Sequence, residues 1–357
     1  MSIPISKRIA RYNTWLKREP TGRPLIGPLW EPDIPPLPEF LERVGNGNPI
    51  SPEQLRPDLF LPHVERWHRC ESQLVSDVIT PFAPAFGIPW VEAIAGCPVV
   101  AHPGSLWAGP AIESYTDRRP IVFDRDSPWL RSLIDLTRAL VTLANGRFPV
   151  ALPQMRGPLD VLAAMRTPQQ MSIDLIEAPD EVTRILGELT DLWVGIAQAV
   201  LEVIPPFHGG YCTRMKMWAP GCAITPQNDV SALISPKMYK RFALPFDQQI
   251  ASRFPYHSFH MHSTEHHQIA NLLTLQQLTA IQLTLEHTLG GPSLDITLAA
   301  ARRVLREKPL LLVAFDTETA DLCLQELPAA GLAVMIGFND YEIPDEIARW
   351  FSDHCRP

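Results

Sequence analysis

The chain has 357 residues, 46% hydrophobic and 20% charged, with a formal net charge of -8. That composition is ordinary for a folded globular protein. The acidic balance, spread along the chain, argues against a nucleic-acid partner, which would favour a basic stripe. No apolar run approaches the roughly 20 residues that cross a bilayer.

The first segment, "MSIPISKRIARYNTWLKREP", has no signal-peptide core and reads as a short amphipathic helix. Residues 1–22 are therefore expected to form an N-terminal helical extension. "RPLIGPLW" (23–30) reads as the first strand, and "EQLRPDLFLPHVERWHRCESQL" as mostly helix. "VITPFAP" (78–84) is the expected second strand. Apolar residues at helical spacing then mark "WLRSLIDLTRALVTLANG", with Asn145-Gly146 as its stop signal. "FPVALPQ" (148–154) is the third strand, and two helices follow. The second opens with Pro179-Asp180-Glu181, acidic residues that suit a helix N-terminus.

Five more strands are expected in "GGYCTRMKMW" (209–218), "ITPQNDVS" (224–231), "YHSFHMHS" (256–263), "AIQLTLEH" (280–287) and "PLLLVAFD" (309–316). Helical segments separate most of them. Eight strands in this rhythm predict an α/β fold, a single (β/α)8 TIM barrel covering residues 1–357. "LAVMIGF" is expected to be a paired extension. A doubly wound sheet ranks lower, because no G-x-G-x-x-G follows the first strand. The 37 prolines gather in residues 20–60 and 79–110 and read as long ordered excursions. The six cysteines include no C-x-x-C pair and read as reduced thiols of a cytoplasmic protein.

"YHSFHMHSTEHH" (256–267) holds five of the eleven histidines. Side chains alternate along a strand, so His260 and His262 share the inward face while Phe259 and Met261 face the helices. They lie at the C-terminal end of their strand, where barrel enzymes place catalytic groups. On the next strand Gln282, Thr284 and Glu286 share the inward parity, which brings Glu286 beside the histidines. Two imidazoles and a carboxylate suit zinc or non-haem iron. The alternative is that Glu286 only hydrogen-bonds a histidine. His257, His266 and His267 are poorer candidates, and His266 and His267, in the first turn of the next helix, are expected at surface or capping positions.

Other polar residues are expected at the same end. Asp229 follows the fifth strand, and Asp316 ends the eighth as a further candidate ligand. Arg214 and Lys216 share a parity on the fourth strand, where they would hold an anionic substrate or else pair with Asp229 or Asp316. Trp30, Glu31, Gln154 and Trp218, at strand ends, are candidate substrate contacts. No G-x-S-x-G occurs, and no cysteine sits at an evident strand end beside a histidine, so nucleophilic catalysis has little support.

Taken together, "RPLIG", "FGIPWVEAIAGCPV…SLWAGP", "GPLDVLAAMR", "DLIEAPDEVTRIL", "QNDVSALISPKMYKRFALPF" and "FHMHSTEHHQIANLLTLQQLTAIQ" resemble the uroporphyrinogen decarboxylase superfamily, in particular its corrinoid-related methyltransferase branch. The resemblance runs from about residue 20 to 350. It implies a barrel with its pocket at the C-terminal strand ends. In the methyltransferase branch a His-x-Cys at the sixth strand and a later cysteine bind zinc, which activates a thiol for methylation by a methylcorrinoid protein. Here His260 stands at the histidine position and His262 at the cysteine position. No cysteine follows at the eighth strand, where Asp316 is nearest, and Glu286 is another candidate. The decarboxylase branch opens with an arginine-rich "RQAGR"-like segment. This chain has "GRPLIGPLWEP", with only Arg23, so porphyrinogen decarboxylation is not expected.

The expected function is metal-dependent methyl transfer or demethylation on a small molecule. Zinc is the expected metal, and methylcobalamin carried by a corrinoid protein the expected methyl source. Asp229, Arg214 and Lys216 would work on the substrate. The alternatives are a carboxy-lyase or a non-catalytic ligand-binding barrel. Neither nucleic acid nor membrane is an expected partner, and a homodimer is among the expected assemblies.

Overall fold

The computed structural model describes residues 3–30, 37–84, 87–116, 118–338 and 342–355. Glu31 lies outside the described residues, and Trp30 enters only through its backbone. Eight strands form one parallel sheet: β1 (Leu25–Trp30), β2 (Met155–Arg156), β3 (Ala223–Ile224), β4 (Pro226–Gln227), β5 (Tyr256–His262), β6 (Leu278–Thr284), β7 (Leu310–Ala314) and β8 (Leu332–Phe338). Their order is β1-β8-β7-β6-β5-β4-β2, with β3 also paired to β5. The architecture is α/β and TIM-like. The ladder itself is open between β2 and β1. Extended chain spans that gap: Asp77 N–H donates to the Ile26 carbonyl at 2.9 Å, and Phe82 pairs with Val150 through an isolated parallel bridge.

Every residue of β7 is buried, as a parallel strand covered on both faces requires. Proline opens many of the surrounding helices at their first turn, among them Pro128–Ala144, Pro158–Arg166, Pro168–Glu177, Pro179–Leu201 and Pro236–Phe242. A missing N–H costs nothing there, since the first turn leaves its N–H groups without intrahelical partners. Much of the proline is therefore helix punctuation as well as loop.

Four sequence expectations change. Residues 78–84 and 148–154 contribute one bridge between them, Phe82 with Val150, and no ladder strand; the ladder strand follows the second segment at Met155–Arg156. Residues 209–218 do not supply the fourth barrel strand. Tyr211–Cys212 pairs antiparallel with Trp218–Ala219 in a hairpin. Its turn is closed by the Lys216 N–H on the Thr213 carbonyl and the Thr213 N–H on the Met217 carbonyl, both 2.8 Å. Lys216 takes a left-handed backbone there, with φ of 64°. Finally, "LAVMIGF" is no appendage. As β8 it lies between β7 and β1 and joins the chain's first strand to its later ones.

The hairpin and the first helix (Ile5–Leu16) pack together against the inward side chains of the strands. Tyr12, Trp15, Met215, Met217 and Trp218 share one apolar cluster with Leu25, Leu29, Leu311, Val313 and Met335. The Tyr12 hydroxyl donates to the Lys216 carbonyl, and Arg11 donates to the Pro24 carbonyl at the start of β1. This end is the N-terminal one of the sheet, which leaves the C-terminal strand ends open. No described helix is long and apolar enough to cross a membrane.

Candidate metal centre and cleft

The parallel register of β5 and β6 sets Gln282 opposite His260 and Thr284 opposite His262. Each inward imidazole is held through Nδ1. His260 Nδ1 contacts Gln282 Oε1, whose amide nitrogen in turn donates to Thr284 Oγ1 at 2.9 Å. His262 Nδ1 contacts Glu286 Oε1 at 2.7 Å, and Ser263 Oγ donates to the other oxygen of Glu286 at 3.3 Å. Both acceptors draw the proton to Nδ1, so both Nε2 lone pairs face inward.

Those two nitrogens stand 3.3 Å apart. Asp229, opening a 3₁₀ turn (Asp229–Leu233) just after β4, brings Oδ1 to 3.9 Å from His262 Nε2. The two nitrogens and one carboxylate oxygen of this trio lie within 4.8 Å of one another. Asp229 Oδ1 is buried and has no hydrogen-bond partner among the described residues. Three electron-rich atoms facing one another are unfavourable unless a cation or proton sits between them. Tetrahedral zinc with nitrogens at about 2.0–2.1 Å would hold them about 3.3 Å apart. The donor set fits a divalent metal.

Local chain geometry places Asp229. Asp160 accepts the backbone N–H groups of Asp229 and Val230 at 2.9 and 2.8 Å, fixing the start of the turn. Gln227 Nε2 donates to Asp229 Oδ2 at 2.7 Å. The Gly157 N–H reaches the Gln227 carbonyl at 2.6 Å. A Cβ at 157 would lie 2.5 Å from that carbonyl and 2.4 Å from Asn228 Oδ1. Glycine is what lets β2 close onto β4 at this point.

Electrostatics agree with the geometry. Burial disfavours the His262 cation, but the Glu286 hydrogen bond and the Asp229 and Glu286 charges raise its pKa overall. Burial raises Glu286, yet its contacts with His262 bring it below the usual value. Glu265, buried behind them, is pushed up to about 10 by burial and by the charges of Asp229 and Asp160. Burial and Asp229 also raise Asp160 strongly. The site therefore concentrates more acidic groups than it can ionise together.

Two clefts meet at Asp229. The larger, about 760 Å³, is lined by Glu92, Trp107, Gln154, Arg156, Asp160 and Asp229 among others. The smaller, about 270 Å³, is lined by His262, Glu265, Glu286 and the 289–291 loop. Among the described residues lining the larger cleft Arg156 is the cation, anchored by an ion pair to the buried Glu92.

The remaining candidates fall elsewhere. Asp316 lies at the C-terminal end of β7, but its carboxylate caps the helix Thr317–Glu326. It accepts the Thr319 N–H at 2.6 Å and the Thr319 hydroxyl at 2.9 Å. Glu286 is beside the trio as the partner of His262. Arg214 and Lys216 are in the hairpin turn, and Lys216 is buried with Nζ 3.3 Å from Thr80 Oγ1. Trp218 is buried in the same hairpin, donating to the Phe207 carbonyl. Gln154 lines the larger cleft. His266 and His267 contact backbone carbonyls at Ser263 and Ile234.

Sequence reasoning passed over Arg156, Asp160, Gln227 and Glu265. A signal for Arg156 exists: it shares strand parity with Gln154 in "PQMRGPLD".

No family model matches the chain, and no curated protein does. Among solved structures, the chain is similar to one described as a methyltransferase from Methanosarcina mazei. The likeness covers 98% of both chains, with a TM-score of 0.66 and 14% sequence identity. At that identity the likeness concerns the fold.

Proposed function

We propose that the protein is a metal-dependent methyltransferase or demethylase of the uroporphyrinogen decarboxylase-like superfamily, acting on a small molecule with a corrinoid protein as methyl carrier. The observation that carries it is the convergence of His260 Nε2, His262 Nε2 and the partnerless Asp229 Oδ1 at the C-terminal end of the strands. The overall likeness to a solved methyltransferase supports the same class.

In this reading His260, His262 and Asp229 hold the metal, while Gln282 and Glu286 fix the imidazoles behind it. A divalent cation there supplies Lewis acidity that favours the anionic form of a substrate heteroatom. The ligand set has no thiolate and is harder than a cysteine-rich one, so an oxygen nucleophile or leaving group suits it better than a thiol. The larger cleft takes the substrate. Arg156, held by Glu92, orients its acidic or polar end, the task the sequence had suggested for Arg214 and Lys216.

The test is metal analysis of purified protein, followed by incubation with methylcobalamin and a panel of small hydroxyl and thiol compounds. About one zinc per chain and metal-dependent loss of the methylcobalamin spectrum are expected. A protein that takes up no metal sinks the reading. Carbon dioxide release from carboxylated compounds, without methyl transfer, would assign it to the lyases instead.

A further inference from the structure

The Asp229 carboxylate is one end of a chain of side-chain amides. Ionised, it can only accept hydrogen bonds, so the Gln227 group facing Oδ2 must be the NH2, as found at 2.7 Å. That turns Gln227 Oε1 the other way. It accepts from Gln154 Nε2 at 3.2 Å. Gln154 in turn must show its NH2 to Gln227, which leaves its own Oε1 as the remaining polar atom. Gln154 lines the larger cleft, and this oxygen has no partner among the described residues.

We infer that Gln154 and Gln227 form a polarised relay that positions Asp229 toward the two histidines and couples the substrate cleft to them. The inference rests on the reading of Asp229, His260 and His262 as a ligand group. Each hydrogen bond in the relay runs one way, from Gln154 through Gln227 to Asp229. Both amides are locked in orientation by the carboxylate. Gln227, buried in β4, has no freedom to satisfy an acceptor on both sides. The open Oε1 at the cleft end suits an O–H or N–H donor on a bound molecule. Gln154 and Gln227 are thus positioning residues, acting on the metal group through Asp229.

The relay is tested with Zn2+ or Co2+ alone, by titration calorimetry and by the visible spectrum of bound Co2+. Gln154→Glu keeps length and shape but offers an acceptor to Gln227 Oε1. If Gln227 turns to satisfy it, its own oxygen meets Asp229, so one contact is lost either way. Metal affinity should fall about ten-fold or more, the scale of disturbed metal surroundings. Gln154→Met removes the donor without reversing anything, so affinity should stay within about three-fold of wild type, with Asp229 still orienting Gln227. A packing role for residue 154 predicts the opposite order, because glutamate is the closer mimic. Wild-type protein that binds neither metal overturns the ligand group and this inference with it. Wild-type binding with the two variants equal, or methionine the worse, overturns the relay alone. Should Gln154→Glu fail to fold by thermal melting, Gln227→Met decides: an unchanged affinity there overturns the relay, and a ten-fold loss upholds it.

Discussion

His257 and His260 lie on opposite faces of β5, and both are buried. On the inner face His260 and His262 each have Nδ1 engaged and Nε2 aimed at a shared point. On the outer face neither nitrogen of His257 has a hydrogen-bond partner among the described residues, and its ring packs edge-on to Phe259. Burial pushes its pKa down to about 3, so it stays neutral. One strand thus holds two histidines supported by polar neighbours and one surrounded by apolar packing. Burial alone does not distinguish a ligand from a core residue. The distinction lies in what each second nitrogen touches.

The widest separation between the faces should come from alanine substitution. His260→Ala or His262→Ala should lower metal affinity by more than about 100-fold, beyond the range for residues that only support a ligand. His257→Ala should leave metal stoichiometry unchanged. Metal analysis after dialysis against a weak chelator reads both. Equal metal loss from all three variants would mean that the strand has simply come apart.

A finer comparison sets Asp229 against Glu286, two carboxylates that both approach His262. Asp229→Asn removes the charge of the partnerless oxygen, so its effect should exceed that of Glu286→Gln. The latter keeps an acceptor for His262 Nδ1 and should cost about 10–100-fold in metal affinity. The reverse order would make Glu286 the ligand and Asp229 a bystander. Each substitution also removes a charge that raises the His262 pKa, so both variants are titrated with Co2+ over a pH series and compared where affinity no longer rises with pH and the imidazole is neutral in each.

How much of this was legible in the sequence follows from the range of the forces involved. Strand alternation is local, so the inward parity of His260, His262, Gln282 and Glu286 could be read directly, and the register of β5 and β6 agrees with it. The identity of the strands carrying the site depends on pairing across the chain. "GGYCTRMKMW" alternates as a strand should, and it is extended at both ends, but it folds back on itself around Lys216. Arg214 and Lys216 therefore sit in a turn that periodicity does not reveal. Asp316 illustrates a second limit. A carboxylate at a strand end can serve a ligand or cap the helix that follows, and "DTET" places Thr319 where its N–H takes up the oxygen. The relay behind Asp229 joins residues 154, 227 and 229 through amide orientation, which no spacing rule encodes.

The smallest expected effect concerns the outer histidine itself. His257→Leu removes two buried polar atoms that lack partners, each of which costs on the order of 1 kcal/mol or more when left unsatisfied. At pH 7 the variant should be modestly more stable, by a few degrees in Tm, provided leucine fills the same space. Lower pH should widen the gap. In the unfolded chain this histidine takes up a proton near its ordinary 6.5, whereas in the folded protein burial delays protonation to about 3. The unfolded state therefore binds more protons throughout that interval, and wild-type stability falls as pH drops from about 6.5 toward 3. Leucine has no such term, so the difference in Tm between variant and wild type should grow across the window and level off below it. Because the metal group also titrates at acid pH, the comparison belongs in metal-free protein. A gap that stays constant with pH would mean that His257 is hydrated or protonated in the native state. The outer face of β5 would then differ from the inner one less than its packing implies.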